Sequence, residues 1–323
     1  MMRMALLAGS TMVGAAAPRG MDETGGLTRG AGEAVAAPPG AGMTVRQVIA
    51  ALLADIPGAP FPNTVDTIKA GSADQKVTGI VTTMFATNEV IARTIRLGAN
   101  FIIAHEPTFY NHTDETKWLG DDAVLKAKQG VLMEHGIAVW RFHDGIHRHN
   151  PDGIRMGVMQ ALGWEKLYNP GEPPLVVVPP ASLGDILALL KKNLGIEQLK
   201  YIGDVGQTCS KLVLLPGAPG GQSQIGAIQK YDPDLLIVGE LNEWETSEYV
   251  RDARYLVQPS GAKVGNKEDR GEAGPTKFGI ALVVLGHSVS EEPGMEWLVA
   301  VLQQKAPGIP VTHVVSGDAF SWG

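Results

Sequence analysis

The sequence of 323 residues contains a single cysteine, Cys209. One thiol excludes a disulfide framework within the chain and a cysteine-rich zinc site. Long apolar runs are also missing: none reaches the roughly 18 residues of a membrane helix, so we expect no membrane-spanning segment. Basic residues number 27 against 34 acidic ones, and the formal net charge is -7. We therefore expect no nucleic-acid partner, because a phosphate backbone requires a dense basic surface.

The N-terminal residues differ in composition from the rest of the chain. Arg3 precedes a short apolar stretch, 4–17, that ends in small residues and resembles a secretory signal. Pro18 follows the obvious cleavage point and disfavours processing, so a cytoplasmic location is the alternative to export into the periplasm or medium. The stretch 19–42 is rich in glycine, alanine and proline, as flexible linkers are. We predict a signal segment and linker over residues 1–42.

From residue 43 onwards, short apolar runs alternate with helical patterns. Runs typical of strands occur at 77–84, 101–104, 138–142, 175–178, 212–215, 235–238, 280–285 and 311–315. Helical patterns occur at 87–97, 121–135, 153–163, 182–193, 222–231, 242–254 and 294–304. Thr44 can cap one more helix, and Pro293 is predicted to open the last one. Strands that alternate with helices predict an α/β fold with mostly parallel sheets.

The two halves of the chain contain a faint internal repeat. The stretch GANFIIAHE at 98–106 parallels DPDLLIVGE at 232–240. In both, an apolar strand ends in polar or acidic residues, and ligands bind at the carboxyl ends of strands in open α/β sheets. We predict two related α/β lobes, 43–173 and 174–323, with the second returning to complete a metal site between them. His105 and Glu106 would then lie toward Glu240.

The histidines are concentrated: six of the eight lie between residues 105 and 149. His105 and Glu106 directly follow a buried strand, and Pro107 then turns the chain. An imidazole and a carboxylate held rigidly at a strand end suit a first-row divalent ion, which accepts nitrogen and oxygen ligands together. An ordinary polar strand end is the alternative interpretation of this pair.

A second set of candidate ligands follows the apolar run 138–142. Its members are His143, Asp144, His147 and His149. The i,i+4 spacing of His143 and His147 would place both on one face of a helix. Gly145 and the pair Asn150–Pro151 favour a loop instead. We predict that two of the four bind metal and that another orients a ligand or carries a proton.

His287 and Glu291 form a third set, between an apolar run and the last predicted helix. An acid at a helix start also suits the helix dipole, which is the alternative role of Glu291. The histidine four residues before it favours a ligand role. Two metal ions need about six protein donors and a bridging carboxylate. The three sets together contain enough donors for such a centre.

Other catalytic motifs are weaker or missing. The glycine-rich stretch 216–226 precedes a helix but lacks the ending of a P-loop and the spacing of a dinucleotide fingerprint. This stretch could instead contact an anion through the exposed amides at the helix start, which is a weaker prediction. No serine lies on a Gly-x-Ser-x-Gly elbow, so a serine nucleophile has no support.

At these motifs the sequence resembles the Nif-three-like family, the YbgI/YqfO-type proteins often named GTP cyclohydrolase type two. The resemblance runs from about residue 43 to the end. Gly286–Glu291 fits the family's C-terminal GHxxSE segment, and Val238–Glu240 fits its TGE strand end. Glu106 stands in place of the second histidine of the family's His-His-Pro, and His147 in place of its aspartate. The resemblance implies paired lobes, a dinuclear site between them and a homohexameric ring.

Our leading hypothesis from the sequence is a metal-dependent hydrolase that acts on a small, possibly nucleotide-like substrate of unknown identity. We expect two divalent ions, of zinc, iron or manganese, because mixed imidazole and carboxylate ligands discriminate poorly among them. The predicted ligands are His105, Glu106, His287 and Glu291, with Asp144 or His147 completing the set. Glu291 would bridge the ions, and His143 would orient a ligand or carry a proton. These two are the predicted catalytic residues.

Two other interpretations remain open at this point. The first is a non-catalytic protein, either a metal-binding scaffold or a ring-shaped interaction platform. A closed coordination shell would favour it, whereas an open position would favour catalysis. The second is an α/β domain in which the histidines never meet.

Overall fold

The structure is a computed structural model that describes residues 42–256 and 279–321. Apart from Gly42, the predicted signal segment and linker therefore lie outside the described residues. No helix in the described ranges combines the length and the apolar character that crossing a membrane requires.

The described residues form two five-stranded sheets with helices packed against them. The strands are β1 (Ile68–Ala70), β2 (Ile80–Thr83), β3 (Phe101–Ala104), β4 (Ala138–Arg141), β5 (Leu175–Ser182), β6 (Lys200–Ile202), β7 (Thr208–Leu215), β8 (Leu235–Val238), β9 (Ala281–Val284) and β10 (Val311–His313). The α-helices are α1 (Val45–Leu53), α2 (Asn88–Arg96), α3 (Ala123–Glu134), α4 (Asp144–Arg148), α5 (Gly153–Ala161), α6 (Leu183–Leu194), α7 (Gly221–Tyr231), α8 (Glu248–Tyr255) and α9 (His287–Lys305). A π-helical segment, Glu243–Ser247, precedes α8.

Most strand pairs in the two sheets are parallel. The first sheet has the order β1-β4-β3-β2-β10, and only β1 pairs antiparallel in it. The second has the order β5-β7-β8-β9-β6, with its two edge strands, β5 and β6, antiparallel. The predicted α/β class with mostly parallel sheets is confirmed. The predicted lobe boundary at residue 173 stays a prediction.

The strand β3 shows how the first sheet is buried on both faces. Phe101 and Ile103 belong to one apolar core, and Ile102 and Ala104 belong to another. This is the alternation of side chains expected of a strand covered by helices on both sides. Fully burying an aliphatic side chain contributes about 1.5–3 kcal/mol. The strand that carries His105 at its end is therefore rigidly held.

The last helix, α9, connects the two sheets. It follows β9 of the second sheet, yet Met295, Leu298 and Leu302 pack in the core beneath the first sheet. The chain then ends in β10, which pairs with β2 of the first sheet. The start of α9 consequently lies where the chain passes from one sheet to the other.

Two predictions about helix boundaries are wrong, and both concern the site. The segment after β4 is not a loop: it forms the short helix α4, and its entry is held by Asp66, which accepts hydrogen bonds from three successive amides. The last helix does not open at Pro293 but begins at His287, with the proline inside it. Gly157 of α5 packs so closely on the carbonyl of Pro293 that a β-carbon would overlap it. The helix continues through the proline, and this close packing on α5 opposes the roughly 3 kcal/mol that an internal proline costs a helix.

Candidate metal centre

Six side chains from three strand ends converge in the structure. His105 and Glu106 directly follow β3, and His143 and His147 lie at the start and within α4, just after β4. His287 and Glu291 follow β9 on the first turns of α9. Because α9 begins earlier than predicted, these last two residues have i,i+4 spacing on one helix face, where side chains meet. The three predicted sets therefore share one cluster.

Glu291 lies at the centre of the cluster. Its Oε2 is 3.4 Å from Nε2 of His105 and 3.1 Å from Nε2 of His287. Its Oε1 is 3.9 Å from Nε2 of His147. Nε2 of His287 also lies 3.5 Å from Oε1 of Glu106. The two oxygens of one buried carboxylate thus face imidazoles that come from different strand ends.

The imidazole rings of the cluster are in direct contact. The rings of His105 and His143 stack with centroids 4.8 Å apart, and that of His147 lies 5.1 Å from each of them. Ligand atoms of these three histidines lie within 4.8 Å of one another, as do those of His105, Glu106 and Glu291. Both groups could hold a metal ion.

The buried imidazole of His105 provides a test of this possibility. Its Nδ1 lies 3.2 Å from the carbonyl oxygen of Phe142, which only accepts hydrogen bonds, so Nδ1 carries a proton. Its Nε2 is buried and has no hydrogen-bond partner among the described residues. In a neutral ring, a nitrogen lone pair then faces the carboxylate of Glu291. A divalent cation between the two groups satisfies both, so the residues fit a metal.

The carboxylates of the cluster have depressed pKa values. Burial raises the pKa of Glu291, but His105 and His287 outweigh that effect and hold it far below its usual range. Burial likewise raises the pKa of Glu106, and hydrogen bonding to His287 together with the neighbouring His105 and Arg141 lowers it overall. Both groups are therefore ionised at neutral pH, as metal ligands must be.

The pKa values of the cluster's histidines shift in opposite directions. Burial lowers the pKa of His287, but hydrogen bonds with Glu106 and Glu291 raise it to about 10. Burial also lowers the pKa of His147, and its bond to Asp152 raises it overall. For His143, burial and the neighbouring His105 lower the pKa. In the absence of metal, the proton of His287 keeps the two carboxylates together.

Asp144 lies beside the cluster rather than in either group of close donor atoms. One of its oxygens accepts a hydrogen bond of 2.8 Å from Oγ1 of Thr64, and the other lies 3.1 Å from Nδ1 of His143. His149 contacts the carbonyl oxygen of Pro151 and the ring of Trp297 instead. Of the four predicted donors in this segment, His143 and His147 are the two that join the cluster.

Glu240, the acid at the end of β8, lies beside the cluster. Its Oε2 lies 3.0 Å from Nδ1 of His287, whose other nitrogen faces Glu106. The acids that follow β3 and β8 thus lie near opposite nitrogens of one imidazole. A carboxylate beside Nδ1 orients the ring and favours the tautomer that carries its proton on Nδ1. The lone pair of Nε2 is then directed into the cluster.

Arg141 contacts the cluster and was not among the residues predicted from the sequence. It is fully buried at the end of β4, and its Nη2 donates a hydrogen bond of 3.0 Å to Oε2 of Glu106. Its Nε donates to the carbonyl of His105, and its Nη1 to that of His112. The available signal was an arginine inside the apolar run 138–142, because a charge there needs a buried partner.

The glycine-rich stretch 216–226 contacts carboxylates of the chain itself, in addition to the anion contact considered from the sequence. Gly217 has a φ of +70°, and a β-carbon there would lie 2.8 Å from Cδ of Glu291. The amide of Gly221, at the start of α7, donates to Glu245. The helix-start amide of this stretch thus contacts one of the chain's own carboxylates, and Gly217 leaves room for another.

A cavity of about 1190 Å³ opens beside the cluster. Glu106, Glu240 and His287 lie in its wall, together with Tyr110 and Lys128. Ligand pockets typically measure about 300–1,000 Å³, so a small molecule can reach the cluster.

The fold and the cluster define a two-sheet α/β protein whose imidazoles and carboxylates could hold a metal ion. The chain belongs to the Duf34/NIF3 (NGG1p interacting factor 3) family, whose model matches residues 43–260. The predicted family resemblance is confirmed.

Individual relatives agree with this membership. A Clostridium perfringens protein named GTP cyclohydrolase 1 type 2 homolog is 25% identical over 198 residues, which cover 56% of this chain and 71% of the relative. The structure of Staphylococcus aureus protein SA1388 matches with a TM-score of 0.64 and 18% identity, over 87% of this chain and 99% of that one. A Bacillus cereus protein related to NIF3 matches with a TM-score of 0.65 and 13% identity, over 87% and 99%. At these identities, the structural likeness shows the shared fold.

Proposed function

We propose that this protein binds two divalent metal ions and uses them to hydrolyse a small substrate. The observation that carries the proposal is the buried approach of Nε2 of His105 to Oε2 of Glu291, at 3.4 Å, without a hydrogen bond to that nitrogen. An unpartnered imidazole nitrogen beside a carboxylate is costly unless a cation lies between them.

The positions of the donors support a site for two ions, to which Glu291 would be the common ligand. One oxygen of Glu291 faces His105 and His287, and the other faces His147. We infer that His105 and His147 would hold one ion and that Glu106 and His287 would hold the other. Such a pair supplies a water of lowered pKa, near about 7, and stabilises developing negative charge. Zinc, iron and manganese all suit this ligand set.

We assign His143 the role of proton acceptor. Its Nδ1 lies 3.1 Å from Oδ1 of Asp144, a carboxylate that only accepts, so Nδ1 carries the proton of the neutral ring. Because burial lowers its pKa, the ring is neutral at pH 7 and Nε2 has a free lone pair. That nitrogen lies 3.6 Å from Oε1 of Glu106, within the cluster.

The open cavity favours an enzyme over a closed metal-binding scaffold. Glu106 and His287 lie in its wall, so the proposed second ion would face a space of about 1190 Å³. A structural metal site is normally closed by protein ligands, whereas a catalytic one keeps a position for water or substrate. The name of the Clostridium relative makes nucleotides the first substrates to test.

Metal analysis of the purified chain tests the ligands. We expect about two divalent ions per chain in the unsubstituted protein, and at most one in the His105→Ala and Glu291→Gln variants. His135→Ala is the matched control, because His135 is exposed at the end of α3 and lies outside the cluster. Unchanged metal content in both cluster variants would contradict the ligand assignment.

Hydrolysis assays then separate the enzyme from the scaffold. The metal-loaded protein is incubated with nucleotides and cyclic amides, and product formation is followed by chromatography. We expect turnover that the Glu291→Gln variant loses. Retained metal without turnover across the panel would favour the scaffold.

Two further proposals rest on the sequence and on the family. We propose a homohexamer, which light scattering on the purified chain tests directly. We also propose export through the N-terminal segment, with a cytoplasmic location as the alternative. Fractionation of cells, with N-terminal sequencing of the mature chain, distinguishes the two.

A further inference from the structure

The cavity wall contains a buried lysine that the proposed metal chemistry does not use. Lys128 lies on α3 and is 5% exposed. Its ammonium donates a hydrogen bond of 2.7 Å to the carbonyl oxygen of Thr108. An ammonium has three N–H donors, and this is the one bond that the described residues give it. No carboxylate of the described residues lies within 4.0 Å of the ammonium.

The other lysines nearby are paired with acids. The side chain of Lys69 is 6% exposed, and its ammonium lies 3.1 Å from Oδ2 of Asp114. Lys200 also lines the cavity, and it lies 2.8 Å from Oε1 of Glu243. Burying a cation without a counterion is costly. Burial accordingly lowers the pKa of Lys128 to about 8, although Asp114 partly opposes the shift.

Two aromatic rings lie close to the ammonium, and that of Tyr110 also lines the cavity. Its Nζ lies 5.2 Å from the ring centroid of Tyr110 and 5.9 Å from that of Phe109. Tyr110 adopts a left-handed backbone conformation with a φ of +67°. This conformation is uncommon for residues with a β-carbon and concentrates at functional sites.

The position of Lys128 connects it to the metal cluster. Thr108, which accepts its hydrogen bond, is two residues beyond Glu106 on the segment that follows β3. Lys128, Glu106 and His287 line the same cavity. A molecule that reaches the cluster can therefore extend along this wall to the ammonium.

We propose that Lys128 binds an anionic group of the substrate, so that the substrate class is a small molecule with a phosphate or a carboxylate. The inference deepens the proposed function, since it takes the cavity to be the substrate site. An anion would provide the counterion that Lys128 lacks, with a charge-assisted hydrogen bond. The ring of Tyr110 in the wall and that of Phe109 behind it make the surroundings of the ammonium apolar, which strengthens such a bond.

Calorimetric titration with inorganic phosphate, and separately with acetate, tests the proposal. Each anion is added to the full chain, both zinc-loaded and chelator-treated. We expect the Lys128→Met variant to bind the preferred anion at least about tenfold more weakly in both states. The matched control is Lys126→Met, on the same helix but exposed and paired with Asp121; we expect it to bind as the unsubstituted chain does.

The titration of the chelator-treated chain separates this inference from the metal proposal, because anion binding by Lys128 requires no metal. If phosphate binds more tightly than acetate, the group is a phosphate; the reverse order indicates a carboxylate. The inference would be overturned if the anion affinity of Lys128→Met stayed within twofold of that of the unsubstituted chain. It would also be overturned if the anion bound only to the zinc-loaded protein. Equal losses in both lysine variants would overturn it as well.

A second measurement needs no substitution, in case Lys128→Met does not fold. The unsubstituted chain is treated with an amine-reactive reagent, and modified lysines are located by peptide mass spectrometry. We expect the preferred anion to slow the modification of Lys128 but not that of Lys126. Equal rates at Lys128 with and without the anion would contradict the inference.

Discussion

The guanidinium of Arg141 and the carboxylate of Glu106 form a buried ion pair, with 3.0 Å between Nη2 and Oε2. By its resemblance to the family's His-His-Pro motif, Glu106 stands in place of a histidine, and it adds a negative charge to the cluster. Arg141 balances this charge and engages one oxygen, and Oε1 remains directed at His287 and His143. The pair thus explains how the chain accommodates a glutamate here.

This relationship predicts the effect of Arg141→Met. Without the guanidinium, Glu106 loses its orientation and its charge partner, and we expect zinc affinity to fall by about 10–100-fold. Titration against a chromophoric chelator measures the affinity. Arg46→Met is the control, since the ion pair of Arg46 with Asp74 is exposed and neither residue belongs to the cluster. Equal zinc affinity in both variants would show that Glu106 does not depend on Arg141.

Gly217→Ala tests whether the glycine-rich stretch positions Glu291. The new methyl group would overlap the carboxylate of Glu291, so we expect zinc affinity to fall by about tenfold or more. Gly220→Ala is a matched control, because Gly220 also has a positive φ, +82°, but nothing lies within 4 Å of its added β-carbon. Both variants carry backbone strain of about 1–2 kcal/mol, so only the metal readout should separate them. Similar affinities would refute a positioning role.

The sequence left open whether Asp144 or His147 completes the ligand set, and paired variants decide it. We expect His147→Ala to lose one of the two ions, because Nε2 of His147 lies among the close donor atoms. We expect Asp144→Asn to keep both ions with about tenfold weaker binding, since Asp144 acts through His143. Metal counting by mass spectrometry checks both. The opposite result would make Asp144 the ligand.

The stability of the metal-free chain should depend on the protonation of His287. Its folded pKa, about 10, lies above its ordinary value of 6.5. The protonated ring therefore stabilises the fold fully below pH 6.5, and this contribution is lost as the pH rises from 6.5 to 10.

Denaturant unfolding of the chelator-treated chain across that window measures the effect. We expect the free energy of unfolding to fall with pH more steeply in the unsubstituted chain than in His287→Gln. The comparison with the variant is needed because Lys128, whose pKa is lowered to about 8, contributes the opposite slope. Parallel curves for the two chains would contradict the role of His287.

Local signals predicted most of the secondary structure. Thr87 and Ser182 cap α2 and α6 through side-chain bonds to amides three residues on, as their positions before apolar helical patterns indicate. The run 101–104 is a strand with the predicted bounds and is buried throughout. Such features depend on neighbours in sequence, so they can be read from it.

The errors occurred where distant residues decide the local structure. Helix α4 forms because Asp66, far away in sequence, accepts the amides at its start. Helix α9 extends through Pro293 because it packs against α5. Neither contact leaves a local pattern, and the short edge strands β1 and β6 were missed for the same reason. Arg141 could be seen in the sequence, but its partner could not.

The sequence by itself determined the α/β alternation, the family, and the supply of imidazole and carboxylate donors at three strand ends. Only the tertiary structure decided which donors meet. The order of the sheets and the return of α9 beneath the first sheet bring Glu291 within 3.4 Å of His105, 186 positions earlier in the chain. Periodicity and capping act over a few residues, whereas such distances depend on how buried surfaces pack against one another.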